Sequence, residues 1–283
     1  MDEALVRATL HEISATDHLL AVTMHHLISD GASLTVLIRE LTEAYHAVIA
    51  GATPTWPTLT THYVDYARAQ RDSLGHGQFD REVDYWRDRL QDAPELITLP
   101  VDHARPPVST FNGRAIPVVL SPTVATRVTA LAADRGATPF MVLLAAYAHL
   151  LMQTAGQDEV VIGVPVSGRP DGTDDIVGLF VNALPIRIQG SPDLSFVALV
   201  DQVKHHVLEA MSHADVPWEF LLDALEPRRD LSRSPIFQVS FTLQADPVAA
   251  FAVQGLTFTD VPLPIEAAKF ELSLELQPSH DGG

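Results

Sequence analysis

From residue 115 onward the chain keeps exchanging one hydrophobic periodicity for another, and this exchange limits its possible folds more than any other feature. Short runs rich in β-branched and apolar residues, at 115–120, 160–166, 180–188, 236–243, 251–258 and 270–276, read as strands, the third interrupted by Pro185. Between them lie stretches with helical spacing. One covers 122–135 and is closed by Gly136. The next enters through Thr138 and Pro139, a cap followed by a first-turn proline, and runs to Leu151. Two more cover 194–213 and 217–225. The run 160–166 has no polar face, so both of its faces must be covered by other layers. Strands interleaved with long helices predict an α/β fold, a mixed sheet with flanking helices.

The first third of the chain carries a smaller version of the same pattern. Residues 19–24 read as a buried strand that runs into His25 and His26. Asp30-Gly31 is a turn signal, and Ser33 is placed to cap a helix reaching residue 50, with Leu34, Leu37, Leu41 and Tyr45 at helical spacing. Residues 51–61 read as loop. Residues 61–90 read as helix in two pieces, broken near Gly75-His76-Gly77. Residues 94–113 carry four prolines and few apolar residues, and read as a linker between subdomains.

Composition removes several classes of function. There are 36 acidic residues against 18 Lys plus Arg, a formal net charge of -18, which repels nucleic acid and anionic membrane surfaces. The chain has no cysteine, so it has no disulfide, no thiolate nucleophile and no Cys-based metal site. No apolar run approaches the roughly 18 residues that span a bilayer. Met1-Asp2-Glu3 has the wrong charge for a signal peptide. The expected compartment is the cytoplasm.

The two adjacent histidines are the candidate chemistry. If they continue the strand, their side chains point to opposite faces, so only one of them meets a given cleft. Asp30 can bind backbone, pair with an arginine or orient an imidazole, and Gly31 permits a backbone conformation that a Cβ resists. A neutral imidazole is suited to exchanging a proton near pH 7. With no cysteine and no Gly-x-Ser-x-Gly segment, direct transfer without a covalent enzyme intermediate is the simplest chemistry. From spacing alone a pair of hydrogen-bonded core histidines explains the residues as well. Metal binding is disfavoured because adjacent strand residues diverge.

Met24-His25-His26-Leu27-Ile28-Ser29-Asp30-Gly31 resembles the HHxxxDG signature of the condensation domains of nonribosomal peptide synthetases. Further segments resemble that family's motifs in the family's order. Tyr63-Val64-Asp65-Tyr66-Ala67 resembles Y-x-D-Y/F-A, and Gly178-Leu179-Phe180-Val181-Asn182 resembles G-x-F-V-N. His213-Ala214-Asp215-Val216-Pro217-Trp218-Glu219 is similar to H-Q-D-x-P-F-E, and Arg229-Asp230-Leu231-Ser232-Arg233-Ser234-Pro235 to R-D-x-S-R-N-P.

The resemblance implies two chloramphenicol-acetyltransferase-like lobes. Residues 1–105 would form a partial N-terminal lobe carrying the histidine motif, and residues 106–283 a nearly complete C-terminal lobe. It implies amide formation between a donor acyl or peptidyl thioester and an acceptor aminoacyl group. Each would arrive on the 4'-phosphopantetheine of a peptidyl carrier protein, with an adenylation domain as neighbour and no cofactor or metal of the domain's own. His26 carries over as the catalytic histidine, supported by His25, Asp30 and Gly31, with backbone donors near Gly31 available to an oxyanion. Asp30 carries over as a structural residue paired with an arginine of the other lobe, Arg169 first and Arg187 second, so that the pair would clamp the two lobes. Asn182 carries over as a residue lining the substrate tunnel. Trp218 and Phe237 read as core, and Arg229 and Arg233 as organisers of their loop.

The sequence departs from the family pattern at Ala32, Ala214 and Ser234. The family also places a long segment before its histidine motif and a terminal segment after the last strand. The N-terminal lobe is therefore expected to be incomplete, with apolar surface left uncovered and the chain poorly active or inactive. Two other functions compete with amide formation: a non-catalytic module that recruits carrier proteins, and a related HxxxDG acyltransferase.

Overall fold

The structure is a computed structural model that describes residues 4–75, 77–228, 230–244, 253, 255–259, 261, 263 and 266–278. The chain forms two compact units. One comprises residues 1–75, 167–181 and 247–260; the other comprises 76–166, 182–246 and 261–283. Residues 167–181 thus belong with the first 75 residues, although they interrupt the second unit in sequence.

The first unit begins with a hairpin, β1 (Val6–Glu12) and β2 (His18–Met24), paired antiparallel from Val6 opposite Met24 to Glu12 opposite His18. The tight connection is closed by the Ser14 hydroxyl, which donates to the Asp17 carboxylate at 2.6 Å. Strand alternation gives the ribbon two faces. Arg7, Thr9 and His11 share one. Val6, Ala8, Leu10, Leu20, Val22 and Met24 share the other, and Val6, Leu10, Leu20 and Val22 on it are exposed, Leu10 at 65%. These apolar side chains are open to solvent.

Two helices follow, α1 (Gly31–Ile49) and α2 (Tyr63–Leu74). The cap of α1 is Asp30, not Ser33, and Ser33 completes a capping box as the third helical residue. The face of α1 that carries Ser33, Val36 and Ala47 is the buried one. Leu34, Leu41 and Tyr45, the apolar positions that set its helical spacing, are exposed.

The second unit holds α3 (Asp80–Leu90), α4 (Pro122–Asp134), α5 (Pro139–Ala155), β3 (Glu159–Ser167), β4 (Val181–Gln189), α6 (Phe196–Met211), α7 (Trp218–Leu225), β5 (Val239–Leu243) and β6 (Leu272–Leu276). The strands form one sheet in the order β4-β3-β5-β6, with β3, β5 and β6 parallel. The Gly190 amide donates to the Asp158 carbonyl, joining the end of β4 to the start of β3 as in an antiparallel pair. The sheet is therefore mixed, as the sequence predicts.

Helix α5 supplies the core, burying Leu144, Ala145, Tyr147, Ala148 and Leu151, and it packs on α4, α6 and β5. Thr138 caps it by accepting the Met141 N–H, Pro139 opens it, and Gly156 closes it at a φ of 63°. Among the described residues no single helix is long and apolar enough to cross a membrane.

Three strand or linker readings come out differently. Residues 115–120 form no strand: Ile116 is 77% and Val119 86% exposed, and the nearest pairing is one bridge between Asn112 and Ala267. Of 251–258, residues 251, 252 and 254 lie outside the described residues, and the remainder form no strand. Residues 94–113 are fastened to the second unit instead of swinging free. The Ile97 amide donates to Gln238, the Thr98 amide to Gln157, Arg105 to the Ser232 carbonyl, and the Ser109 amide to the Leu231 carbonyl. The prolines keep this strap extended while those bonds hold it down.

Candidate functional site

Strand β2 stops at Met24, and residues His26–Ile28 wind into a single 3₁₀ turn. The two histidines therefore do not obey strand alternation, which was the expected basis for telling them apart. Their hydrogen bonds separate them instead. His25 caps the turn, its Nδ1 accepting the Leu27 N–H at 3.1 Å. An acceptor nitrogen carries no proton, so a neutral His25 has its hydrogen on Nε2. His26 Nδ1 lies 2.7 Å from the Ser29 carbonyl oxygen. A carbonyl only accepts, so a neutral His26 carries its proton on Nδ1 and has its lone pair on Nε2. Both residues are exposed.

The neighbouring Asp30 fixes Ser29 in turn. Asp30 is extended, at φ −129° and ψ −176°, and its side chain is buried. Oδ1 accepts from the Ser33 amide, the Ser33 hydroxyl and Arg169 Nη2, each at 2.8 Å, and Oδ2 accepts from the Phe180 amide at 3.0 Å. Burial pushes the carboxyl's pKa up, but the bonds from Arg169, Ser33 and Phe180 outweigh it and hold it below the usual carboxylate range.

Arg169 spans the 167–181 segment as well. Its Nη1 donates to the Thr173 and Ile176 carbonyls at 2.9 and 2.7 Å, and its guanidinium stands 4.3 Å over the Phe180 ring. The Asp30 and Arg169 side chains are only 6% and 7% exposed.

Ser33, wholly buried, ties these parts together. Its hydroxyl accepts from Arg169 Nη2 at 3.0 Å and from the Gly178 amide at 3.1 Å, and its one proton has Asp30 Oδ1 and the Gly178 carbonyl in reach. Phe180 packs edge-on against Tyr63, with centroids 5.2 Å apart, and against Tyr66 at 4.8 Å. The Tyr63 hydroxyl donates to the Leu179 carbonyl, and its ring lies so close to Gly178 that any Cβ there would overlap it. Asp65 holds the start of α2 by accepting the His62 amide. Residues of three motifs, far apart in sequence, thus meet in the first unit. The Asp30-x-x-Ser33 spacing was the one sequence signal for the role of Ser33.

The other named residues lie in the second unit. Arg187, the second choice to meet Asp30, pairs with Glu159 at 2.7 and 2.9 Å and donates to the Gln91 carbonyl at 2.6 Å. Its position on β4 beside the start of β3 makes Glu159 its nearest carboxylate. Asn182 has every polar position of its amide occupied by backbone. Nδ2 donates to the Ala214 and Val216 carbonyls at 2.8 and 2.7 Å, and Oδ1 accepts the Ala183 and Trp218 amides. It clasps the entry to α7 and has no hydrogen-bonding capacity left for a substrate.

The His213 segment is held from the other side, where Trp86 Nε1 donates to the His213 carbonyl and Tyr85 stacks on its ring. Phe237 is buried and packs against Trp218. Arg233 lies 3.4 Å from Asp230, and Arg229 lies outside the described residues. Among the described residues no group of three His, Cys, Asp or Glu side chains is gathered to hold a metal.

The family model described as the condensation domain matches residues 1–283. This chain belongs to the condensation-domain family. A probable non-canonical nonribosomal peptide synthetase of Salinispora arenicola is 36% identical over 283 residues, which cover 98% of this chain and 4% of that protein. The chain therefore spans only a small part of the length of the curated relatives it matches.

The crystal structure of the X-domain from teicoplanin biosynthesis superposes with a TM-score of 0.87 at 27% identity, over 98% of this chain and 64% of that one. The complex of the X-domain and OxyB from teicoplanin biosynthesis gives 0.84 at 26% identity, over 98% and 62%. The condensation domain thus has the α/β fold of its family, a mixed sheet with flanking helices.

Proposed function

We propose that this condensation domain forms an amide bond inside a longer peptide synthetase, joining a carrier-bound acyl or peptidyl thioester to a carrier-bound aminoacyl group. One observation carries the reading: His26 is an exposed residue whose Nδ1–H is fixed on the Ser29 carbonyl, which leaves the lone pair of the neutral ring on Nε2. The acceptor amine attacks the thioester carbonyl and a C–N bond forms. As the C–S bond breaks, the surplus proton on nitrogen passes to Nε2 and from there to the leaving thiolate.

Holding the amine and taking its proton at one atom lowers the entropic part of the barrier, because both substrates arrive tethered. The Gly31 and Ala32 N–H groups, the first of α1, have no intrahelical carbonyl to bind and are available to the oxyanion. Asp30 acts at one remove: locked by Arg169 and Ser33, it fixes the backbone that presents the Ser29 carbonyl. The 4'-phosphopantetheine arms belong to the carrier proteins. Kinship with a peptide synthetase supports donor and acceptor carriers and an adjacent adenylation domain as partners, in a cytoplasmic assembly.

The test is amide formation from two loaded carrier proteins, with wild type and with His26→Ala. Loss of about a hundredfold or more in the variant, with carrier binding retained, is the expected result. A second reading, a module that recruits a partner without chemistry, is favoured by the likeness to an X-domain found in complex with OxyB. Product yield that His26→Ala leaves unchanged selects it.

A further inference from the structure

Two side chains from different helices end on one backbone carbonyl of β4, the edge strand of the sheet. Arg89 Nη2 of α3 donates to the Arg187 carbonyl at 3.0 Å, and the His206 imidazole of α6 is hydrogen-bonded to the same backbone residue. The Arg187 guanidinium reaches back to the C-terminal end of α3, donating to the Arg89 and Gln91 carbonyls at 3.4 and 2.6 Å. Two donors that share one acceptor lie within about 6 Å of each other, so the imidazole and the Arg89 guanidinium are neighbours.

His206 Nδ1 is buried and has no hydrogen-bond partner among the described residues, so the bond to Arg187 comes from Nε2. The neutral ring suits this place. A second proton would sit on Nδ1, where no acceptor meets it and a guanidinium stands close by. Burial and Arg89 accordingly push the imidazole down to about 4, with His205 adding to them. The other surrounding groups do not outweigh this. Glu209 attracts the charge but lies 3.3 Å from the exposed His205. Glu159 is occupied by Arg187 and Gln189. Tyr85 of α3 is held neutral by burial and by Glu209. The titratable groups of α5, which also packs on α6, are Tyr147, buried against Phe241, and the exposed His149. Helix α3 itself buries Val83 and Trp86, far less than α5 buries, so moving α3 is the cheapest way to relieve a charge in the seam.

We propose that this seam is an acid-operated clasp: protonation of His206 drives apart the two donors on the Arg187 carbonyl and releases α3 from the edge of β4 while the α5 core stays folded. The clasp does not depend on the amide-forming reading.

Hydrogen exchange of the full chain, corrected for the intrinsic pH dependence of amide exchange, reads the two elements separately. From pH 6.5 to pH 5 the protection of residues 80–90 should fall about tenfold, as it does when the open state binds at about 6.5 a proton that the closed state binds at about 4. Protection across 139–155 should hold over the same range. His206→Gln keeps a donor for the Arg187 carbonyl but takes up no proton, so its α3 protection should be alike at the two pH values. A fall across 80–90 matched by 139–155, a fall that persists in His206→Gln, or no fall at all overturns the proposal. Should that variant fail to fold, Arg89→Met replaces it. Without the guanidinium the closed state accepts the proton more readily, so the fall should shrink, and an undiminished fall overturns the proposal.

Discussion

Four hydrogen bonds end on the two carboxylate oxygens of Asp30, and a guanidinium supplies only one of them. Removing Arg169 leaves the others in place but strands a charge away from water, the costly way to break a buried pair. Arg169→Leu is expected to lower the unfolding free energy by about 3–5 kcal/mol in urea titrations. Asp30→Leu combined with Arg169→Leu should recover part of that loss, since no charge is then left alone. The same variant should change the acid limb. The folded pKa of Asp30 lies below its unfolded value, so its stabilising effect is complete above about pH 4 and vanishes as pH falls through the folded pKa. Without Arg169 the folded pKa rises, and the acid-unfolding midpoint should move to higher pH. A midpoint that stays put would mean that Ser33 and Phe180 suffice to hold the charge. The pairing of Asp30 with Arg169 was implied by the family resemblance, but as a clamp between lobes, whereas Arg169 lies in the same compact unit as Asp30. The hub at Ser33 was not legible, because a capping serine looks the same in sequence whether or not a distant loop reaches its hydroxyl.

Helix α6 shows a titrating group at the scale of an element. Burial pushes the His206 imidazole down to about 4, helped by Arg89 and His205 and opposed by Glu209 and a hydrogen bond involving Arg187. His206 therefore stays neutral in the folded chain where the unfolded chain would protonate it. Stability should fall as pH drops from about 6.5 toward about 4, by at most ~1.4 kcal/mol per pH unit for one proton. His206→Gln should flatten that part of the stability profile measured by denaturant unfolding; an unchanged slope would place the proton uptake elsewhere. Elements also show where sequence patterns stop being informative. The cap, first-turn proline and closing glycine of α5 are local chemistry and read directly. Residues 115–120 carry a strand's composition, but a strand exists only when a neighbouring backbone accepts its hydrogen bonds. In α1 the apolar stripe marks an amphipathic helix without saying which face is covered, and here the covered face is the one carrying Ser33 and Val36. Strand β1 has a plain alternation in Val6, Ala8 and Leu10, legible in principle, but its role as partner of β2 depends on the hairpin register.

For the whole molecule, the exposed apolar face of the hairpin and the acidic surface act against each other. Val6, Leu10, Leu20 and Val22 stand on one side of a two-stranded ribbon with that side open, and contiguous apolar surface in water favours association. A formal net charge of -18 opposes it, because copies of the chain repel one another over roughly a Debye length, about 10 Å at 0.1 M salt. Added salt shortens that range while leaving the hydrophobic attraction in place. The 283-residue chain should therefore self-associate more at 0.5 M than at 0.05 M sodium chloride, an outcome that sedimentation velocity reads directly. Leu10→Thr with Leu20→Thr keeps β-compatible side chains on the ribbon while removing its two central apolar contacts, so the double variant should lose most of the salt-dependent association. If instead both proteins associate alike, the attraction comes from another surface, for which Ile116 and Val119 on the extended 115–120 segment are the next residues to replace.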